Sequence, residues 1–221
     1  MDFERARYNM VEQQIRPWDV LDFKLLDVLQ ELPREEFVTE EQKPYAYADM
    51  HLALPNHSLM LEPKLVARLV QALDLQETDS VLEIGTGGGY ATAVMAKMAG
   101  KVTSIDIDGE QSNRAAAVLQ KLGINNVSFE VRDGFDEMAY GNETYNAIYI
   151  GASVSQIPDV LRLRLATGGR LVTVLGSSPV KRAVLLTLEK DGSFSRKVLF
   201  DTDIPGLIEG KQSLANQTFV F

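Results

Sequence analysis

The sequence predicts an α/β fold: a mainly parallel sheet with helices on both faces and an antiparallel edge completed late in the chain. Three observations predict it. Residues 81–84 form a short apolar strand that passes through glycines at 85, 87, 88 and 89 into an alanine-rich helical stretch opening at Tyr90. From there to residue 175 strand-like and helix-like runs alternate, the order that builds a parallel sheet. Finally, the β-rich runs 183–188 and 195–200 flank Lys190, Asp191 and Gly192, which marks a hairpin.

The elements follow in order. Residues 3–14 and 20–32 have helical spacing, and Leu21, Leu25, Leu26 and Leu29 make one apolar stripe between Pro17 and Pro33. An irregular, aromatic-bearing approach then runs to His57 and Ser58. Such segments often carry substrate contacts. Pro63 opens the next helix, buried along Leu65, Val66, Leu69, Val70 and Leu73. Strands are expected at 101–106, 127–131, 145–150 and 170–175, with helices at 111–122 (stopped by Gly123) and about 157–165, and a turn at Gly168 and Gly169. A last strand-like run occupies 217–221.

Composition narrows the function. The 221 residues, 45% of them hydrophobic, suffice for one packed domain, read as an α/β core over 57–221 with a helical and loop extension over 1–56. The chain has no cysteine, which removes disulfides, thiolate metal sites and a cysteine nucleophile. Its formal charge of −9, from 22 basic and 31 acidic residues, gives no footprint for nucleic acid. No leader-like N-terminus and no apolar run near the roughly 20 residues of a membrane helix is visible. A soluble cytoplasmic protein with no membrane partner is expected.

The glycine turn carries the chemistry. Gly85 and Gly87 let the backbone approach a ligand while the first N–H groups of the next helix face the same spot. A dinucleotide fingerprint needs Gly or Ala where Tyr90 stands, and a phosphate-binding P-loop needs a Gly-Lys-Ser/Thr end that is missing here. What remains, Glu83-Ile84-Gly85-Thr86-Gly87-Gly88-Gly89, resembles the first motif of class I S-adenosyl-L-methionine-dependent methyltransferases. Asp106, 21 residues after Gly85 at the end of the second core strand, is placed to accept both hydroxyls of a ribose. Asp133, ending the third, is placed to accept from an adenine amino group, with Gly134 leaving room for the ring. These positions all fall on the carboxyl rim of the sheet, near the switch in strand order. His51 and His57, the only histidines, lie in the loop over this rim, where either could act as a base for a hydroxyl substrate. No metal-ligand spacing involves them.

With Pro33-Arg34-Glu35-Glu36-Phe37-Val38, Ala46-Tyr47-Ala48-Asp49, Asp133-Gly134, Ile157-Pro158 and Gly168-Gly169-Arg170-Leu171-Val172, this turn resembles the protein-L-isoaspartate O-methyltransferase family over most of the chain. The resemblance implies a Rossmann-like class I methyltransferase fold with a seven-stranded sheet. It also implies transfer of a methyl group from S-adenosyl-L-methionine, leaving S-adenosyl-L-homocysteine, to an abnormal aspartyl carboxylate for repair. The partner is then a protein or peptide with isoaspartyl residues. The cofactor set is Glu83, Gly85, Thr86, Gly87, Gly89, Asp106, Ile107, Asp133 and Gly134, and the substrate wall is Leu59, Met60 and Leu61.

The chain departs from that family in one run. The family's Thr-Ile-Ser-x-Pro pattern reads Leu59-Met60-Leu61-Glu62-Pro63 here, so Leu61 holds the hydroxyl position and Ser58 comes three residues early. Asn146 also replaces an aspartate, at a position expected to reach the cofactor side. Two alternatives therefore stand beside repair: a methyltransferase on this scaffold with another acceptor, such as a small apolar compound, and a non-catalytic cofactor-binding homologue.

Overall fold

The computed structural model describes residues 2–55, 58–136, 140–177 and 180–208. Its N-terminal part is helical: α1 (Phe3–Asn9) continues through a wide turn at Met10–Ile15, and α2 (Phe23–Glu31) follows. The helical run expected over 3–14 forms, its second half as a π-helix, whereas α2 is shorter than its apolar spacing suggests. Asp22 accepts the Leu25 N–H as an N-cap, so α2 starts there and not at Val20. Met10, Val11 and Ile15 are buried in the wide turn, which continues the apolar face that α1 leaves unfinished.

Two 3₁₀ turns, Arg34–Phe37 and Glu40–Tyr45, lead to a small antiparallel pair, β1 (Leu52–Ala53) and β2 (Leu59–Met60). The α/β core then runs α3 (Pro63–Ala72), β3 (Ser80–Ile84), α4 (Tyr90–Met98), β4 (Lys101–Asp106), α5 (Gly109–Lys121), β5 (Val127–Val131) and β6 (Tyr145–Val154). It closes with α6 (Asp159–Arg162), β7 (Leu165–Ser177), β8 (Val180–Leu188) and β9 (Phe194–Asp201). The seven strands lie in the order β5-β4-β3-β6-β7-β8-β9, parallel through β7 and antiparallel at β8 and β9. The expected parallel sheet with an antiparallel edge is what forms.

Burial on both faces explains the strand sequences. In β3, Val81 packs with α2, α3 and α4, while Leu82 and Ile84 join Ile105, Ile148, Ile150 and Leu171 on the opposite face. The helix expected over 157–165 is only four residues long, because Leu165 already pairs with Tyr145 as the start of β7. The turn expected at Gly168 and Gly169 is a bulge within β7: the register jumps from Leu165 to Arg170, and a Cβ on Gly169 would stand 2.7 Å from the Ala166 carbonyl oxygen. The strand-like run at 217–221 lies outside the described residues. Chain order reverses at β3, which has β4 on one side and β6 on the other, so a crevice opens above its carboxyl end.

Candidate functional site

At that end the backbone turns sharply. Gly85 donates its N–H to the Ile105 carbonyl at 2.8 Å, tying the turn to β4, and Gly85 (φ +89°) and Gly87 (φ +51°) both take left-handed conformations. Gly89 N-caps α4 for a packing reason. A Cβ there would lie 2.7 Å from the Ala115 Cβ of α5.

Two adjoining cavities open on this turn. The larger, about 350 Å³, is lined by Gly85, Gly87, Asp106, Ile107, Asp133 and Gly134 among others. The smaller, about 50 Å³, is walled by Met60, Thr86, Gly89, Tyr90 and Tyr149. Leu59, Leu61, Gly85, Gly87 and Gly151 belong to both.

The rim carboxylates are held by backbone donors. Asp106 Oδ2 accepts from Gly87 N–H and Oδ1 from Asp108 N–H, each at 2.9 Å. A carboxylate has about four acceptor sites, so both oxygens keep capacity for a ligand. Asp133 Oδ1 accepts the Phe135 N–H at 2.9 Å. Ile107 is 43% exposed and offers an apolar surface between them. Gly134 lines the larger cavity, and a Cβ there would also meet Ile84 Cγ2 at 2.7 Å and Cδ1 at 2.9 Å, so the sheet beneath it forbids a side chain.

Glu83 corrects the expected cofactor set. It is wholly buried, lines neither cavity, and its Oε2 accepts from Thr92 Oγ1 and Ser104 Oγ, both at 2.5 Å. Thr86 Oγ1 extends this chain to Ser104 Oγ at 2.6 Å, so the threonine side chain also serves the interior and Thr86 walls only the smaller cavity. Burial pushes the Glu83 carboxyl up to about 8, the two hydroxyls pull it partly back, and nearby Asp106 adds to the rise. At neutral pH this acid is a structural hydrogen-bonding hub under the turn.

On the other wall, Leu59 and Met60 form β2, and Met60 and Leu61 are buried. Their backbone is anchored by Arg34, itself fully buried, which donates from Nη2 to the Leu61 carbonyl at 2.6 Å and from Nε to the Ala46 carbonyl at 2.8 Å. Its guanidinium lies 4.5 Å from the centre of the Tyr90 ring. His51 does not line either cavity; its Nδ1 lies 2.6 Å from Glu62 Oε2. Glu62 thus faces the histidine, while His57 lies outside the described residues. Asn146 sits at the amino end of β6, away from the carboxyl rim, its Oδ1 accepting from Ser80 N–H at 2.9 Å and from Ser80 Oγ at 3.1 Å, which makes it structural. Among the described residues no group of three His, Cys, Asp or Glu could hold a metal ion.

Several lining groups escaped sequence reasoning. Ser58 lines the larger cavity, with its hydroxyl 3.1 Å from Gln111 Oε1 of α5. The segment after β9 crosses the rim because Ser153 N–H donates to Pro205 O at 2.8 Å and Leu207 N–H donates to Ser153 O at 2.9 Å. Tyr149 reaches the smaller cavity from the middle of β6. Nothing in the local pattern of these residues distinguishes them from core or turn positions.

The family model for protein-L-isoaspartate(D-aspartate) O-methyltransferase matches residues 5–204. A protein-L-isoaspartate O-methyltransferase 1 of Rhodopseudomonas palustris is 39% identical over 186 residues, 84% of this chain and 76% of the relative. One of the same name from Syntrophobacter fumaroxidans is 36% identical over 193 residues, 87% of this chain and 89% of the relative. A Plasmodium falciparum crystal structure, described as a candidate member in complex with S-adenosyl-L-homocysteine, superposes with a TM-score of 0.78 at 19% identity, covering 95% of this chain and 100% of its own. That last likeness bears on the fold alone.

Proposed function

The chain belongs to the protein-L-isoaspartate(D-aspartate) O-methyltransferase family, and on that premise we propose that it methylates the carboxylate of isoaspartyl residues in damaged proteins, using S-adenosyl-L-methionine. The observation that carries this reading is the meeting of Gly85, Gly87, Asp106 and Asp133 around one cavity at the switch in strand order.

The residues present fit the cofactor. A volume of about 350 Å³ falls in the range of small-molecule sites, and the lining combines a bare glycine turn, two carboxylates and an apolar surface. Asp106 would hold the ribose hydroxyls, Asp133 the adenine amino group, and Ile107 the face of the ring. When bound, S-adenosyl-L-methionine supplies an electrophilic sulfonium methyl. An acceptor carboxylate is already a nucleophile, so this chain's residues have no proton to remove. Their work is alignment and exclusion of water, for which Leu59, Met60 and Leu61 provide a dry wall.

That wall also favours a second reading. Leucine at 61 cannot donate to a carboxylate, so a small apolar acceptor on the same cofactor site is the competing substrate class. Labelled methyl transfer to an isoaspartyl peptide and to its aspartyl twin separates the two. The repair reading expects label in the isoaspartyl peptide alone; label in neither peptide excludes it.

A further inference from the structure

We propose that the Tyr149 hydroxyl is the hydrogen-bond donor of a carboxylate subsite in the smaller cavity, an inference that rests on the functional reading above and extends it to a residue outside the glycine turn. Tyr149 lies in β6 opposite Glu83, on the sheet face covered by α3 and α4, and is 1% exposed. Tyr149 lines the smaller cavity, and no hydrogen bond joins its hydroxyl to another described residue. A phenol on a cavity wall that makes no hydrogen bond to the protein has its O–H available to whatever fills the cavity. The ring edge next to the hydroxyl runs along Gly151, where a Cβ would stand 3.3 Å from Tyr149 Cε1, and Gly151 lines both cavities.

The surroundings select the chemistry. The first N–H groups of α4, a helix of nine residues, have no partner within the helix and carry its positive end. Behind the wall stands the buried Arg34, whose guanidinium lies 4.5 Å from the centre of the Tyr90 ring. The phenol is held above its ordinary range, chiefly by burial, and stays a donor. Glu83, the acid opposite, keeps its own proton at neutral pH for the same reason. A volume of about 50 Å³ is roughly three to five times what one water needs, space for a group of three heavy atoms. A carboxylate satisfies all of these conditions. The reaction offers two: the methionyl carboxylate of the cofactor and the carboxylate of the acceptor.

Calorimetry on the wild type and Tyr149→Phe tests the assignment. The ligands are S-adenosyl-L-homocysteine, 5′-methylthioadenosine (which lacks the amino-acid portion), and an isoaspartyl peptide added to the S-adenosyl-L-homocysteine complex. The substitution removes one oxygen that bonds nothing within the described protein, so the fold is retained; equal thermal midpoints check this. If the subsite takes the cofactor carboxylate, S-adenosyl-L-homocysteine weakens roughly 10- to 100-fold, the range of a hydrogen bond to a charged group, and methylthioadenosine does not change. If it takes the acceptor, both nucleosides keep their affinity and the peptide weakens by that factor. Unchanged affinity for all three, or equal weakening of both nucleosides, overturns the assignment. A wild type that binds S-adenosyl-L-homocysteine and no peptide refutes the repair reading instead, and the two nucleosides then decide Tyr149.

Discussion

Gly87 donates its backbone N–H to Asp106 Oδ2 at 2.9 Å, so the carboxylate that lines the larger cavity also fixes the shape of the glycine turn. Its other oxygen takes the Asp108 N–H, and Asp108 in turn caps α5 through Glu110 and Gln111 N–H. One side chain thereby couples the ends of β3 and β4 to the start of α5.

Glu83 should make stability fall as pH rises. Its carboxyl is pushed from the ordinary 4.5 to about 8, chiefly by burial. Between those values the unfolded chain is ionised while the folded chain holds its proton, so the contribution is full below 4.5 and is lost progressively up to about 8. The slope is about 1.4 kcal/mol per pH unit. Glu83→Gln removes the titrating group. Urea unfolding across this interval should show the wild type losing ground to the variant; parallel curves would contradict the buried, neutral acid.

Gly134→Ala should cost about 1–3 kcal/mol by overpacking, because the new methyl has to displace Ile84 beneath the rim. Since Asp133 precedes it, S-adenosyl-L-methionine affinity should fall as well. Gly192→Ala, at a hairpin turn where a Cβ meets nothing within 4 Å but φ is +84°, controls for backbone strain alone. It should leave cofactor affinity untouched.

Arg34→Lys should lower unfolding free energy by about 2–4 kcal/mol, as an ammonium cannot serve the Ala46 and Leu61 carbonyls together and one buried acceptor is left bare. Urea unfolding measures this. A loss below about 0.5 kcal/mol, typical of surface changes, would show that the fork is dispensable.

The alternation of strands and helices from 81 to 175 was legible because a parallel sheet buried on both faces needs near-continuous apolar strands, and this core has them. Asp106 and Asp133 were legible because an acid ending such a strand lands on the rim. Glu83 was misread, although strand parity held the clue: it shares the face of Val81, under α4, and not the open end of the turn. Arg34 sits in a locally polar run with Glu35 and Glu36, which gives no hint that its guanidinium turns inward. Tyr149, Gln111 and the crossing at Pro205 reach the site only through tertiary packing, and no local period encodes that. The early start expected for α2 failed on capping, where Asp22 outweighs the apolar stripe.

The central claim is that one adenosyl ligand sits between Asp106 and Asp133, and calorimetric titration of S-adenosyl-L-methionine into the wild type, Asp106→Asn and Asp106→Ala tests it most directly. One binding site is predicted in the wild type, with affinity falling stepwise through Asn to a loss of roughly 100-fold in Ala, as charge-assisted hydrogen bonds are removed. Equal affinity in all three proteins, or no binding to the wild type, would contradict the account.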